Sequence, residues 1–117
     1  MIPTILILGA GGQIGSELTE KLRTIYGSNH VIASDISNNN TQLVTSGPFE
    51  IIDATDKEAI LTIVKKYGVT QIYLLAAMLS AVGEKFPQKA WNLNMTSLLA
   101  VLDLAKDKYI NQVFWPS

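Results

Sequence analysis

Four glycines, Gly9, Gly11, Gly12 and Gly15, fall within seven residues directly behind the unbroken apolar run Ile5-Leu6-Ile7-Leu8. Where a strand turns into a helix, the helix start offers unpaired N–H groups and the positive end of its dipole, and that pairing suits anion binding. Gly9 would allow a tight turn, Gly12 the approach of a pyrophosphate to the backbone, and Gly15 close packing of helix on strand. The spacing is G-x-x-G-x-x-G; a G-x-G-x-x-G pattern would need glycine where Ile14 stands. No Lys-Ser or Lys-Thr follows, which argues against a mononucleotide P-loop. Asp35 lies twenty residues beyond Gly15, where a carboxylate can accept hydrogen bonds from adenosine ribose hydroxyls. The same aspartate taken alone fits a turn cap equally well. It would repel a 2′-phosphate, and Ile36-Ser37-Asn38-Asn39-Asn40 offers no Arg or Lys to hold one, so the expected cofactor is NAD and not NADP.

The elements that must position these residues alternate. Ile5 to Leu8 reads as a strand buried on both faces. A helix follows with Ile14, Leu18, Leu22 and Ile25 as its apolar stripe, ending near Gly27. A strand from His30 to Ser34 comes next, then a loop from Ser37 to Pro48 by its Ser, Asn, Thr, Gly and Pro content, and a short strand from Phe49 to Ile52. Thr55-Asp56-Lys57-Glu58 has the form of a capping box with Thr55 at the N-cap. It opens a helix with Ile60, Ile63, Val64 and Tyr67 inward and Gly68 at its end. Gln71 to Ala77 reads as a fourth strand, Pro87 to Lys106 as a long helix with Trp91, Met95, Leu98 and Leu102 on one face, and Val113 to Trp115 as the start of a fifth strand. Such alternation predicts an α/β fold: a doubly wound parallel sheet between two helix layers, in one domain spanning residues 1–117.

Composition narrows the partners. The 117 residues are 48% hydrophobic and 16% charged, with a net charge of -1, the profile of a soluble globular domain. The nine Lys and Arg are scattered, so neither nucleic acid nor an anionic membrane surface is expected. No run reaches membrane-spanning length, and Met1 leads straight into strand-like residues, leaving no room for a signal peptide. The absence of cysteine fits a reducing compartment, and the cytoplasm is expected.

Gly9-x-x-Gly12-x-x-Gly15, Asp35-Ile36, Asp53-Ala54 and Asn94 together resemble the N-terminal part of the extended short-chain dehydrogenase/reductase family, and so imply a Rossmann-type fold. More narrowly, Ser46-Gly47-Pro48-Phe49, Ala77-Met78-Leu79-Ser80-Ala81-Val82-Gly83-Glu84, Trp91-Asn92-Leu93-Asn94-Met95 and Phe114-Trp115-Pro116-Ser117 are similar to the short-chain-type L-threonine 3-dehydrogenases. The resemblance implies that Gln13 and Ile14 open the helix over the pyrophosphate and that Ile36 follows the ribose carboxylate. By the same carry-over Asp53 meets the adenine amino group with Ala54 beside the ring, and Leu75, Ala76 and Ala77 line the dinucleotide. Ser80 would touch the amino-acid substrate, L-threonine, and Asn94 would support the cofactor site from behind. A homodimer through long helices is implied as well.

Plainer readings stand beside these. Asp53 fits the turn before Thr55, Ser80 an ordinary loop hydroxyl, and Asn94 a buried amide bonded to backbone on a face with Leu98, Val101 and Ala105. His30 has no carboxylate or second histidine at ligand spacing and reads as structural. Asp53 and Asp56 make neither a metal site nor a glycosidase pair. The family's base is a tyrosine with a lysine four residues on. Here Tyr26, Tyr67, Tyr73 and Tyr109 are followed at that spacing by His30, Gln71, Ala77 and Val113. Ser117 lies in the segment that supplies the family's catalytic hydroxyl, although the next position is an equal candidate. The expectation is therefore an NAD-binding N-terminal part of an enzyme two to three times longer by the usual length of the family, with a sheet edge left open. Alone it would bind and not turn over. A nucleotide-sugar epimerase or dehydratase, or a non-catalytic dinucleotide sensor, remain alternatives.

Overall fold

In the computed structural model, which describes residues 2–36, 41–75 and 87–114 with the side chains of 87–95 excepted, the first apolar run is the central strand. It forms β1 (Ile5–Leu8), and all four of its side chains are buried. The chain then runs through α1 (Gln13–Tyr26), a 3-10 turn at Ser28–His30, β2 (Val31–Asp35), α2 (Thr41–Ser46), β3 (Phe49–Ile51), α3 (Lys57–Tyr67), β4 (Gln71–Leu74), α4 (Pro87–Lys106) and β5 (Gln112–Phe114). The strands make one sheet in the order β3-β2-β1-β4-β5, and every pairing is parallel.

Alternation along each strand builds three layers, because successive side chains leave a strand on opposite faces. Ile5, Ile7, Val31 and Ala33 point to one side and pack with Leu22 of α1 and Leu43 of α2. Leu6, Leu8, Ile32, Ile72 and Leu74 point to the other and pack with Ile60, Ile63 and Val64 of α3 and Val101 and Leu104 of α4. Each fully buried aliphatic side chain contributes about 1.5–3 kcal/mol of transfer free energy. The result is a Rossmann-type α/β/α sheet, with the C-terminal ends of all five strands along one edge. At β5, Phe114 stacks on Tyr73 of β4 with ring centroids 4.3 Å apart.

Several local expectations are corrected. In α1 the buried residues are Gly15, Thr19, Leu22 and Arg23, while Ile14 and Ile25 are each 60% exposed. Close contact of Gly15 with the preceding loop sets the rotation of this helix, and it turns Arg23 inward. The stretch expected to be loop contains α2, six residues held by the buried Leu43. Here tertiary contact overrides a composition poor in helix formers. The N-cap of α3 is Asp56, whose carboxylate accepts from the Ala59 N–H at 3.2 Å. Thr55 lies one residue before the cap and turns to Asp53, its N–H and hydroxyl both donating to Asp53 Oδ1, at 2.9 and 2.7 Å. Gly68 does end α3, in the left-handed conformation. His30 belongs to the 3-10 turn, so β2 starts one residue later. Among the described side chains of α4 the buried ones are Ser97, Ala100, Val101 and Leu104, with Leu102 45% exposed. The strand expectations for Ala76, Ala77 and Trp115, and the side chains of Trp91 and Met95, lie outside the described residues.

Candidate dinucleotide site

The glycines of the first loop lack side chains for different reasons. Gly9 has φ +92°, the left-handed region that a tight exit from β1 requires. A Cβ on Gly15 would stand 2.5 Å from the Gly9 carbonyl oxygen and 2.9 Å from the Ala10 Cα, so helix and loop touch only because it is glycine. A Cβ on Gly12 would meet nothing within 4 Å, and its φ of -74° is one any residue adopts. Nothing among the described residues requires glycine there. Gly12 is also the N-cap of α1, with no side-chain cap and no acidic residue in the first turn, so the Gln13-Ile14 start of the helix presents bare backbone donors to solvent.

The loop is tied to β2. The Ser34 carbonyl accepts both the Gly9 and Ala10 N–H groups, at 3.0 and 2.8 Å, and the buried Ser34 hydroxyl donates to the Ile7 carbonyl at 2.6 Å. Asp35 follows, half-buried at the strand end. Its Oδ2 accepts the Gly11 N–H at 2.8 Å and its Oδ1 the Ile36 N–H at 2.7 Å. Asp35 thus touches the glycine loop directly, and Ile36 beside it is 70% exposed.

Along the same edge, Asp53 and Ala54 follow β3. Ala54 is buried in the core with Leu8, Ile52 and Leu74. Asp53 is exposed, and the Thr55 hydroxyl and N–H that it accepts hold its carboxyl below the usual aspartate value. The turn reading therefore accounts for one Asp53 oxygen; Oδ2 has no protein partner among the described residues. Leu75 continues β4, its N–H donating to the Leu8 carbonyl at 2.8 Å. It sits in the core with Ile7 and Ala10. Ala76, Ala77, Ser80 and Ser117 lie outside the described residues, and Asn94 falls in α4 where the backbone alone is described. Among the described residues no three His, Cys, Asp or Glu side chains group as metal ligands, and no helix is long and apolar enough to cross a membrane.

The sequence model of the NAD dependent epimerase/dehydratase family matches residues 5–117. The chain belongs to that family. A curated member, an uncharacterized epimerase/dehydratase of Staphylococcus haemolyticus, is 44% identical over 114 residues, covering 97% of this chain and 36% of that protein. The chain thus spans about a third of that relative's length. A partial consensus L-threonine 3-dehydrogenase superposes with a TM-score of 0.91 at 55% identity, over 98% of this chain and 36% of that one. A GalE-like L-threonine dehydrogenase from Cupriavidus necator, in its holo form, gives 0.89 at 53% identity, over 98% and 37%. Within the epimerase/dehydratase family frame, sequence reasoning missed Gly11 and Ser34 as parts of the loop's support. Both are signalled only by contacts across 24 or more residues.

Proposed function

We propose that this chain holds NAD along the C-terminal edge of its sheet and that the protein it represents is an L-threonine 3-dehydrogenase. The observation that carries the cofactor reading is Gly12: a glycine that no described residue requires, at an uncapped helix N-terminus, leaves a cradle that a side chain would fill. The pyrophosphate fits there, on the first N–H groups of α1 and the positive end of its dipole. The cis-diol of the adenosine ribose suits Asp35, whose two oxygens each retain acceptor capacity after taking one backbone N–H. Asp53 Oδ2 is the acceptor for the adenine amino group, with Ile36 and Ala54 flanking the base. Gln13 and Ile14 cover the phosphates. Leu75, Ala76 and Ala77 line the rest, and Asn94 supports the site from behind. Ser80 is assigned to substrate and Ser117 to the catalytic hydroxyl.

When bound, NAD accepts a hydride from the carbon that carries the substrate hydroxyl. For L-threonine the product is 2-amino-3-ketobutyrate. The described residues bind and orient; the base that takes the hydroxyl proton is not among the four tyrosines, none of which has a lysine four residues on. The substrate reading is supported by the identity of 50% or more to three L-threonine dehydrogenase structures. A second reading, an NAD-dependent nucleotide-sugar epimerase or dehydratase, is favoured by the epimerase/dehydratase designation of the 44%-identical relative. A homodimer of the whole protein and a cytoplasmic, reducing setting complete the proposal, the latter supported by the lack of cysteine.

The test is absorbance at 340 nm with the full-length protein, NAD and L-threonine, with UDP-galactose in a parallel assay for UDP-glucose. NADH formed from threonine is expected. Sugar conversion with no NADH from threonine replaces the dehydrogenase reading by the epimerase one, and an Asp35→Arg variant that keeps wild-type NAD binding overturns the ribose assignment.

A further inference from the structure

Gly11 is the glycine that the G-x-x-G-x-x-G spacing does not use. Its φ lies outside the left-handed region, so an alanine would fit the backbone without strain. A Cβ there would instead stand 2.5 Å from Asp35 Oδ2 and 3.3 Å from Asp35 Cγ, with no other described residue among its three nearest contacts. Oδ2 is also the atom that accepts the Gly11 N–H at 2.8 Å. Side-chain absence and hydrogen bond thus act on one carboxylate, across 24 residues of sequence.

We propose that Gly11 is a positioning residue for cofactor specificity, keeping the Asp35 carboxylate in the orientation that receives a ribose diol and refuses a 2′-phosphate. The inference rests on the reading of Asp35 as the ribose acceptor. The Gly11 and Ile36 N–H groups, one on each oxygen, fix both the plane of the carboxylate and its rotation about the side chain. The remaining lone pairs of the two oxygens are then held together as a bidentate acceptor. An alanine at position 11 must push Oδ2 aside, because 2.5 Å is below any real carbon–oxygen contact of this kind, and the carboxylate is the part free to move. The displaced group loses the Gly11 hydrogen bond, its alignment with the diol, and its place as a fixed negative charge opposite a 2′-phosphate.

The experiment measures dissociation constants for NAD and NADP with the full-length protein and its Gly11→Ala, Asp35→Ala and double variants. Gly11→Ala is expected to weaken NAD about tenfold, the loss of one charge-assisted hydrogen bond to the diol, and NADP less than about twofold, so that the preference collapses. In the Asp35→Ala background the Gly11 change is expected to do nothing further, since a residue acting through another is non-additive with it. Equal weakening of NAD and NADP by Gly11→Ala overturns the proposal, because both ligands carry the pyrophosphate and such a result marks plain distortion of the loop. Additive losses in the double variant overturn it as well. If Asp35→Ala weakens NAD but Gly11→Ala does not, only the role of Gly11 falls. If Asp35→Ala itself binds NAD like wild type, the ribose assignment falls and this inference with it.

Discussion

The two ends of α1 handle polar groups in opposite ways. At its C-terminal end, on the N-terminal edge of the sheet, Arg23 is 6% exposed and donates to the Val31 carbonyl at 3.2 Å, the Leu43 carbonyl at 3.0 Å, the Ser46 hydroxyl at 2.7 Å and the Pro48 carbonyl at 2.6 Å. Four of the five guanidinium N–H groups are thus committed to β2, α2 and the lead into β3. Burial pulls its pKa below the ordinary value, partly opposed by Glu20. Gly47 lacks a side chain for an internal reason, since a Cβ there would meet the Arg23 Cζ at 2.7 Å. At the N-terminal end, no described residue crowds Gly12 and the helix has no side-chain cap. A cleft of about 310 Å³ lined by Glu20, Arg23, Thr24, Ser28 and Ser46 lies at the Arg23 end. That cleft sits beside a polar cluster whose hydrogen bonds are already spent on the fold, which hydrogen-bond accounting sets apart from the uncapped helix start proposed for the pyrophosphate.

The sharpest break of this contrast is Arg23→Ala. Three carbonyls lose the Arg23 donor, the Pro48 carbonyl keeping the Ala33 N–H at 3.0 Å, and a nearly buried side chain loses its packing, so a loss of about 3–5 kcal/mol is expected in urea denaturation. Arg23→Lys is expected to recover little, because one ammonium cannot reach the same fork of acceptors. NAD affinity of the molecules that remain folded is expected to stay within about twofold of wild type. A large affinity loss at unchanged stability would mean that Arg23 serves the ligand and not the fold.

Gly12→Val is the mirror experiment. A Cβ at position 12 meets no described residue within 4 Å, so the urea midpoint is expected to stay close to that of wild type, while the side chain occupies the path of the pyrophosphate. NAD binding is expected to fall about 100-fold, or about 2.7 kcal/mol. Calorimetry on the variant decides it, and unchanged binding removes the cradle from the site.

What the sequence disclosed and what it hid follow the same division. The turn at Gly9 and the close packing at Gly15 were legible because strand, turn and helix are local, and the parallel sheet follows from strands alternating with helices. Arg23 was illegible because its acceptors are backbone carbonyls 8 to 25 residues away, and an arginine among scattered charges carries no mark of burial. The rotation of α1 was misread for the same cause: Ile14 and Ile25 look like core by type, but the contact of Gly15 with Gly9 turns them outward. Thr41–Ser46 reads as loop because nothing local announces that Leu43 will be buried and that its carbonyl will receive Arg23. Asp53 and Thr55 illustrate a subtler limit, since Thr55 matches a cap pattern yet an aspartate two residues earlier claims it.

Asp56→Ala tests that last point on the site edge that holds Asp53. Loss of the carboxylate that accepts from Ala59 is expected to cost about 1 kcal/mol, typical of an N-cap. Thr55→Ala is expected to cost less, because it caps nothing and only releases Asp53 Oδ1. The reverse order in thermal denaturation would restore Thr55 as the cap.

The smallest expected effect lies at the edge strand, where a polar cluster is satisfied but exposed. The Tyr67 hydroxyl donates to Glu50 Oε2 at 2.5 Å, and the Lys66 ammonium stands 3.1 Å from the same oxygen. The Tyr67 hydrogen bond, aided by Lys66, holds the Glu50 carboxyl below its ordinary 4.5, and the same carboxylate pushes Tyr67 above its ordinary 10.0. A depressed carboxyl contributes stability that is present above 4.5 and lost as pH falls through the folded value. A raised tyrosine contributes stability that is present below 10.0 and lost as pH rises through its folded value. Tyr67→Phe removes the tyrosine's contribution and the hydroxyl's share of the Glu50 one, leaving that of Lys66, while keeping the ring packed. The stability difference between wild type and variant is therefore expected to be about 0.5 kcal/mol on a plateau near neutral pH, shrinking toward acid and again toward strong alkali. A difference that stays flat from pH 3 to pH 11 would mean that the hydroxyl and carboxylate are not coupled, and that the edge strand is held by the apolar contacts of Tyr67 alone.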